Sequence, residues 1–278
     1  MILKPDSSTS PEYVELESGL IVPEWVAEEK FAARRPRAVD LFCGCGGMSL
    51  GMIQGGFEVV AAAEIDLLST VTYMHNLGSY PCEFHFVEPA DGERLEKYLK
   101  KEMLRGDGIH ECFVSGGNRQ ALGDFPGVGH FFLGDVRKLK GSDVLRAIGL
   151  KRGELDCVCG GPPCQGFTFA GKRQIHDPRN SLVFEFARLV VEMLPKTIVF
   201  ENVPGILHMV TPEGIPVMDL FCRILQDGGF AGVDALKQTI ESQRGAVGML
   251  RVKMPRKKKA EKPGPKKEPR STQRRLFA

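Results

Sequence analysis

The sequence predicts an α/β protein built on a doubly wound, mostly parallel sheet. Three observations predict it. Apolar runs of strand length alternate with stretches of helical spacing along most of the chain. The first of these runs empties into a glycine-rich turn that opens a helix. And 278 residues, 42% of them hydrophobic and 26% charged, can bury a full core without staples.

Residues 1–36 read as a loop-rich lead-in ending in FAARRPR. The first strand is AVDLF, Ala38 to Phe42, running into CGCGG. MSLGMIQGG follows as a helix, then FEVVAAAEID as a second apolar strand ending on acids. Strand, glycine turn, helix, strand is the opening of a parallel doubly wound sheet. Residues 67–77 read as helical. The stretch 78–130 reads as irregular, with an amphipathic helix near 91–105 and the loop SGGNRQALGDFPGVG. It is longer than a normal connection within one sheet and is taken as an insertion. The pattern resumes with HFFLGDV, a helix near 141–149, and LDCVCGG as a strand. Residues 180–194 have helical apolar spacing, KTIVFENV is a buried strand, and PVMDLFCRILQDGGF is a helix closed by glycines. VDALKQTIESQRG is a last helical piece. The expected organisation is a lead-in over 1–36, a catalytic domain over 37–250 with its insertion at 78–130, and a basic disordered tail over 251–278.

Composition excludes several classes. No apolar run approaches the roughly 18 residues that span a bilayer, and the polar, acidic start lacks the order of a signal peptide. Eight irregularly spaced cysteines suit a reducing compartment and not a disulfide framework. The net charge of +2 conceals a tail: residues 251–278 carry 12 Lys and Arg against Glu261 and Glu268. The rest of the chain is therefore acidic. Such a tail is either a solvated terminus or an arm that follows a phosphate backbone.

At the carboxyl ends of the strands lie DLFCGCGG, AAEID, LGDV, CGGPPCQGF and FENVPG. In an open α/β sheet that edge binds ligands. Gly44, Gly46 and Gly47 let the backbone approach a ligand where the next helix begins. Glu64, about 20 residues on, stands where an acid binds ribose hydroxyls. Gly160, Gly161, Pro162 and Pro163 form a stiff loop holding Cys164 away from the core, as a nucleophilic thiolate requires, whereas Cys157 and Cys159 read as packed within a strand. Glu201 leaves an apolar strand at the same edge; a desolvating setting would favour its protonated form and suit it to act as an acid.

These strings, in this order, resemble the DNA (cytosine-5) methyltransferases from about Ala38 to Phe230, as a short form without a recognisable target-recognition domain. The resemblance implies the Rossmann-like sheet of S-adenosylmethionine-dependent methyltransferases, and double-stranded DNA as partner. It implies that Asp40 to Gly47 wraps S-adenosylmethionine, with Phe42 against adenine and Glu64 on the ribose. Ile65 stands where the family often has a tryptophan. Asp135 would accept from the adenine amino group, and Val136, Pro162 and Leu182 would border the cofactor. Cys164 would attack carbon 6 of cytosine, Glu201 would hydrogen-bond and protonate ring nitrogen 3, and Asn202 would position the loop carrying Cys164. A restriction-modification setting in a prokaryotic or phage-encoded, cytoplasmic, nucleoid-associated protein goes with it.

After Phe230 only 48 residues remain, too few for a normal target-recognition domain. The alternative is thus a cofactor-binding subunit of a split methyltransferase, completed by a second polypeptide. Ser242-Gln243-Arg244 is a faint echo of the family's arginine segment, and Arg119 is a candidate DNA contact. Cys82, His85, His110 and Cys112 form short pairs whose spacing matches no strong zinc motif, and no metal is assigned. Finally, Gln273, Leu276 and Phe277 have the Gln-x-x-Leu-Phe arrangement that resembles peptides docking on the bacterial sliding clamp.

Overall fold

The computed structural model describes residues 12–15, 21–24, 35–103, 126–163, 182–211 and 213–253. Among the described residues six strands form one sheet: β3 (Arg37–Leu41), β4 (Glu58–Glu64), β5 (Gly78–Phe86), β6 (Val128–Leu133), β7 (Cys157–Gly160) and β8 (Thr197–Phe200). Their order is β5–β6–β4–β3–β7–β8, and every pair is parallel. The doubly wound sheet expected from the sequence is the one observed.

Among the described residues seven α-helices cover it: α1 (Gly47–Gln54), α2 (Leu67–Leu77), α3 (Pro89–Met103), α4 (Gly141–Ala147), α5 (Leu182–Met193), α6 (Val217–Asp227) and α7 (Val233–Lys253). A 3₁₀ helix spans Pro204–His208. Side chains alternate across the central strands, so each strand feeds two cores. Val39, Leu41, Phe132 and Val158 face one cluster, filled by the apolar faces of α4, α5, α6 and the start of α7. Ala38, Val59, Phe131, Cys157 and Cys159 face the other, filled from α1, α2 and Leu95 of α3. On α5 the buried residues Val183, Phe186, Ala187, Val190 and Met193 recur at helical spacing. Each such fully buried side chain contributes about 1.5–3 kcal/mol. Asp66 caps α2 by accepting from Ser69 N at 2.8 Å, which fixes where the chain leaves β4.

Three segments differ from the sequence reading. Residues 78–103 are an edge strand and a helix of the domain and not part of an insertion. The strand was hidden because its pairing breaks: Gly78 is opposite Val128, and the next registered pair is Glu83 with His130. The four intervening residues obscure the alternation that follows. The lead-in contains an antiparallel pair, β1 (Tyr13–Glu15) and β2 (Ile21–Pro23), which is held to α1 by Gln54 Nε2 donating to Ile21 O at 2.9 Å. Last, α7 continues to Lys253, so the first three residues assigned to a disordered tail are helical. Among the described residues no helix is long and apolar enough to cross a membrane.

Candidate active site

Because all six strands are parallel, their carboxyl ends open on one edge. Leu41 is registered with Ala63 and Gly160, Glu64 with Leu133, and Gly160 with Phe200. The chain leaves β3 to one side for β4 and returns on the other side for β7. The end of β3 is thus the switch point at which such sheets bind ligands.

The turn there is tightly wound. Phe42 (φ 60°), Gly44 (φ 52°) and Gly46 (φ 97°) occupy left-handed backbone, a costly conformation for the non-glycine residue. At Gly46 the positive φ strains any other residue, and a Cβ there would crowd Leu77 and the Tyr73 ring. By contrast a Cβ on Gly44 or Gly47 would meet nothing within 4 Å, so the space before the turn is open. Helix α1 begins at Gly47 with no side-chain cap, aiming its N-terminal dipole at that space.

Glu64 closes the turn. Its Oε2 accepts from Gly44 N at 2.8 Å, and its Oε1 accepts from Ile65 N at 2.9 Å and Asp66 N at 3.0 Å. Beside it Ile65 is 47% exposed. Asp135, just beyond β6, is gripped by Arg137, whose Nε lies 3.0 and 2.9 Å from the two carboxylate oxygens. That pairing lowers the Asp135 pKa and keeps it ionised at neutral pH. Leu182 is half-buried against the larger core, and Phe42 packs there too.

Two expected cofactor contacts are placed differently. Asp40 is fully buried, with its side chain directed into the sheet's α1–α2 face. Tyr73 OH lies 2.7 Å from Ser49 Oγ, which donates to Asp40 Oδ2 at 2.6 Å. Cys159, on the neighbouring strand, lies on the same face beside Asp40. Burial raises the Asp40 carboxyl to about 6, against the lowering effect of the Ser49 bond. Strand alternation turns Asp40 inward, so it braces the turn from beneath. Val136 is likewise a core side chain, and its carbonyl accepts from Arg188 Nη2 at 2.8 Å.

On the other side of the switch point, β7 and β8 end together. Asn202 Nδ2 donates to Pro162 O at 3.0 Å, and a Cβ on Gly161 would lie 2.8 Å from Glu201 Oε2. Only glycine lets the carboxylate sit so close. Glu201 is exposed, so the desolvated setting expected from a buried strand is not found: β8 is an edge strand of the sheet, alternately exposed and half-buried, with Val199 42% exposed. Phe200 before it is wedged between Phe186 and Phe221, at centroid distances of 5.3 and 4.9 Å. A cavity of about 390 Å³ opens here, lined by Glu201, Asn202, Leu207, Met218 and Gln243. Cys164, the nucleophile expected from the sequence, lies outside the described residues, as do Arg119, His110, Cys112, Gln273, Leu276 and Phe277.

The sequence matches the C-5 cytosine-specific DNA methylase family over residues 37–96 and 128–220, more than half of the chain. The chain belongs to this family. Type II methyltransferase M.XorII of Xanthomonas oryzae is 31% identical over 172 residues, covering 62% of this chain and 29% of the relative. The DNA (cytosine-5-)-methyltransferase M.ApeKI of Aeropyrum pernix is 32% identical over 183 residues, with 62% and 30% covered. Type II methyltransferase M.HgiGI of Herpetosiphon aurantiacus is 30% identical over 168 residues, with 60% and 90% covered. The chain thus spans under a third of the Xanthomonas and Aeropyrum relatives.

Within this DNA methylase domain several supporting residues were not legible in sequence. Arg137 carries no motif, although a basic residue two positions after an acid is a cheap signal for a local pair. Ser49 reaches Asp40 from 9 residues away, and Tyr73 reaches Ser49 from 24 residues away, on helices whose rotation must be known first. Arg244 of the faint arginine segment donates to Leu207 O (3.2 Å) and Asp219 (3.0 Å), tying α7 to the 3₁₀ helix and α6.

Proposed function

We propose that this domain methylates carbon 5 of cytosine in double-stranded DNA, with S-adenosylmethionine as donor. The observation that carries this reading is the Asn202–Pro162 bond with the Glu201–Gly161 contact. It fastens the loop leading to Cys164 onto the edge that holds Glu64 and Asp135.

The residues present fit the donor. The open space before Gly44 and Gly47 would admit it, and the uncapped N-terminus of α1 would suit its carboxylate group. Glu64 Oε2 has one donor and keeps lone-pair capacity for a ribose hydroxyl. Exposed Ile65 offers an apolar face to adenine, and Asp135 an acceptor for its amino group. Phe42 borders the same turn. When bound, S-adenosylmethionine supplies an electrophilic methyl group.

Carbon 5 of cytosine is a poor nucleophile, and covalent addition divides the difficult step in two. The Cys164 thiolate adds to carbon 6, and the displaced electron pair makes carbon 5 nucleophilic. Glu201 holds a proton at ring nitrogen 3 and absorbs the charge that develops there. Carbon 5 takes the methyl group while the electron pair of the broken carbon–sulfur bond stays on the donor's sulfur, which leaves as a neutral thioether. Water then removes the carbon 5 proton, Glu201 recovers its proton from ring nitrogen 3, and the thiolate is expelled as the 5,6 double bond re-forms. Asn202 anchors Pro162, two residues before Cys164. The cytosine must leave the duplex to reach this site, at a cost of a few kcal/mol. Buried Cys43, Cys157 and Cys159 do not compete: burial raises all three thiols, Cys157 to about 12, and holds them protonated.

A second reading is a subunit that acts only with another polypeptide. One assay addresses both. Tritiated-methyl transfer to plasmid DNA is measured with the purified chain and with the chain co-expressed with its neighbouring reading frame. Cys164→Ala is expected to abolish transfer in either setting while S-adenosylmethionine still binds. Full transfer by Cys164→Ala would sink the mechanism, and transfer only after co-expression would favour the subunit.

A further inference from the structure

At the β5 side of the sheet, edge strand β5 and its neighbour β6 place three metal-ligating side chains together. Glu83 of β5 is registered directly opposite His130 of β6, and His85 lies two residues further along β5 on the same face. His85 Nε2 is 3.1 Å from His130 Nδ1. The Glu83 carboxylate is 3.7 Å from His85 Nε2 through Oε1 and 3.6 Å from His130 Nδ1 through Oε2. Metal bonds of about 2.0–2.2 Å in tetrahedral arrangement require ligand atoms about 3.3–3.6 Å apart. The three separations lie around that range.

We propose that Glu83, His85 and His130 bind a divalent transition-metal ion of the zinc type. Two imidazole nitrogens facing each other at 3.1 Å must share one proton, and a metal ion between them would take the proton's place, leaving the other ring nitrogens protonated. The carboxylate beside them offsets part of the ion's charge. Two nitrogens and an oxygen suit zinc and its neighbours, and not calcium or magnesium, which require oxygen ligands. The His85 ring is held by stacking on Phe132 at 4.5 Å and 16°, so one ligand is oriented before binding. The two histidine side chains are 23% and 24% exposed and Glu83 66%, which leaves an entry path. A cavity of about 580 Å³, lined by Glu83, His85, Phe132, Lys138, Asp143 and Arg146, leaves room for water to complete the coordination. The ion would clip edge strand β5 to β6 immediately after the register break between Gly78 and Glu83. Cys82 takes no part: it packs against the other face, where burial raises its thiol to about 12.

The test uses the full chain, stripped of metal with a chelator and kept reduced. Zinc is titrated against a chromophoric competitor, and cobalt(II) serves as a spectroscopic probe. The wild type is expected to bind one equivalent with micromolar or tighter affinity and a rise in Tm. His85→Ala and His130→Ala should each weaken this at least tenfold and remove the rise, and Cys82→Ser should not. Glu83→Gln, at an exposed position, should weaken binding severalfold without disturbing the fold. No binding by the wild type would overturn the proposal. So would histidine variants that bind as tightly as wild type, Glu83→Gln binding unchanged, or a thiolate-to-cobalt charge-transfer band showing that cysteines hold the ion.

Discussion

Asp40 stands at the head of the glycine turn, yet it works from below it. Its carboxylate is sealed between β3, α1 and α2, and its two hydroxyl neighbours form a chain from Tyr73 through Ser49 to Oδ2. The folded state holds its proton more tightly than the unfolded chain, with a pKa raised to about 6 by burial. For an acid so raised, native stability falls as pH climbs through the window between the ordinary carboxyl value and about 6, and is flat above it. At 1.36 kcal/mol per unit the loss is on the order of 2–3 kcal/mol. Asp40→Asn lacks that slope. In urea unfolding, the stability of wild type relative to Asp40→Asn should therefore decline from pH 4 to pH 6 and then level; a constant difference would refute the assignment. The sequence showed Asp40 on a strand end but not which way it turned. Alternation along AVDLF allows either face, and the decision came from Ser49 and Tyr73 on helices beyond the turn.

At the scale of elements, the loop carrying Asp135 depends on α5. Arg188 reaches Val136 O at 2.8 Å and Leu139 O at 3.0 Å while pairing with Glu185 and Glu192 on its own helix. Glu192 in turn accepts from Gly141 N at 2.7 Å, fixing the start of α4. Half-buried charged donors to backbone carbonyls are worth more than surface pairs, and losing both leaves the carbonyls unmet. Arg188→Met should cost about 2 kcal/mol and weaken S-adenosylmethionine binding several-fold by loosening Asp135, measured by unfolding and by calorimetric titration. A stable variant with unchanged affinity would show that α5 does not position this loop. Regular elements were legible in proportion to their regularity. α5 and α6, with unbroken apolar spacing, lie where the periodicity puts them. β5 was lost because Pro81 and the register break precede its alternating part, and the Glu83–His130 pairing could not be seen without it.

At the scale of the whole molecule, parallel pairing does the assembling. Strand ends scattered from Leu41 to Phe200 in sequence meet on one edge because every strand in the sheet points the same way. This was readable from the alternation of strands and helices, and with it the association of Glu64, Asp135 and Glu201. The packing of Glu201 was not, since an apolar strand says nothing of how its last residue meets solvent. The central claim is that Cys164 becomes covalently bound to carbon 6 of a target cytosine. Duplex DNA carrying 5-fluorocytosine tests it most directly, because fluorine at carbon 5 cannot leave as a proton does and elimination stops. With S-adenosylmethionine present, the chain, alone or co-expressed with its neighbouring reading frame, should form a denaturation-resistant complex with this DNA, and Cys164→Ala should form none. Methylation of ordinary DNA by a preparation that never forms this complex would contradict the account.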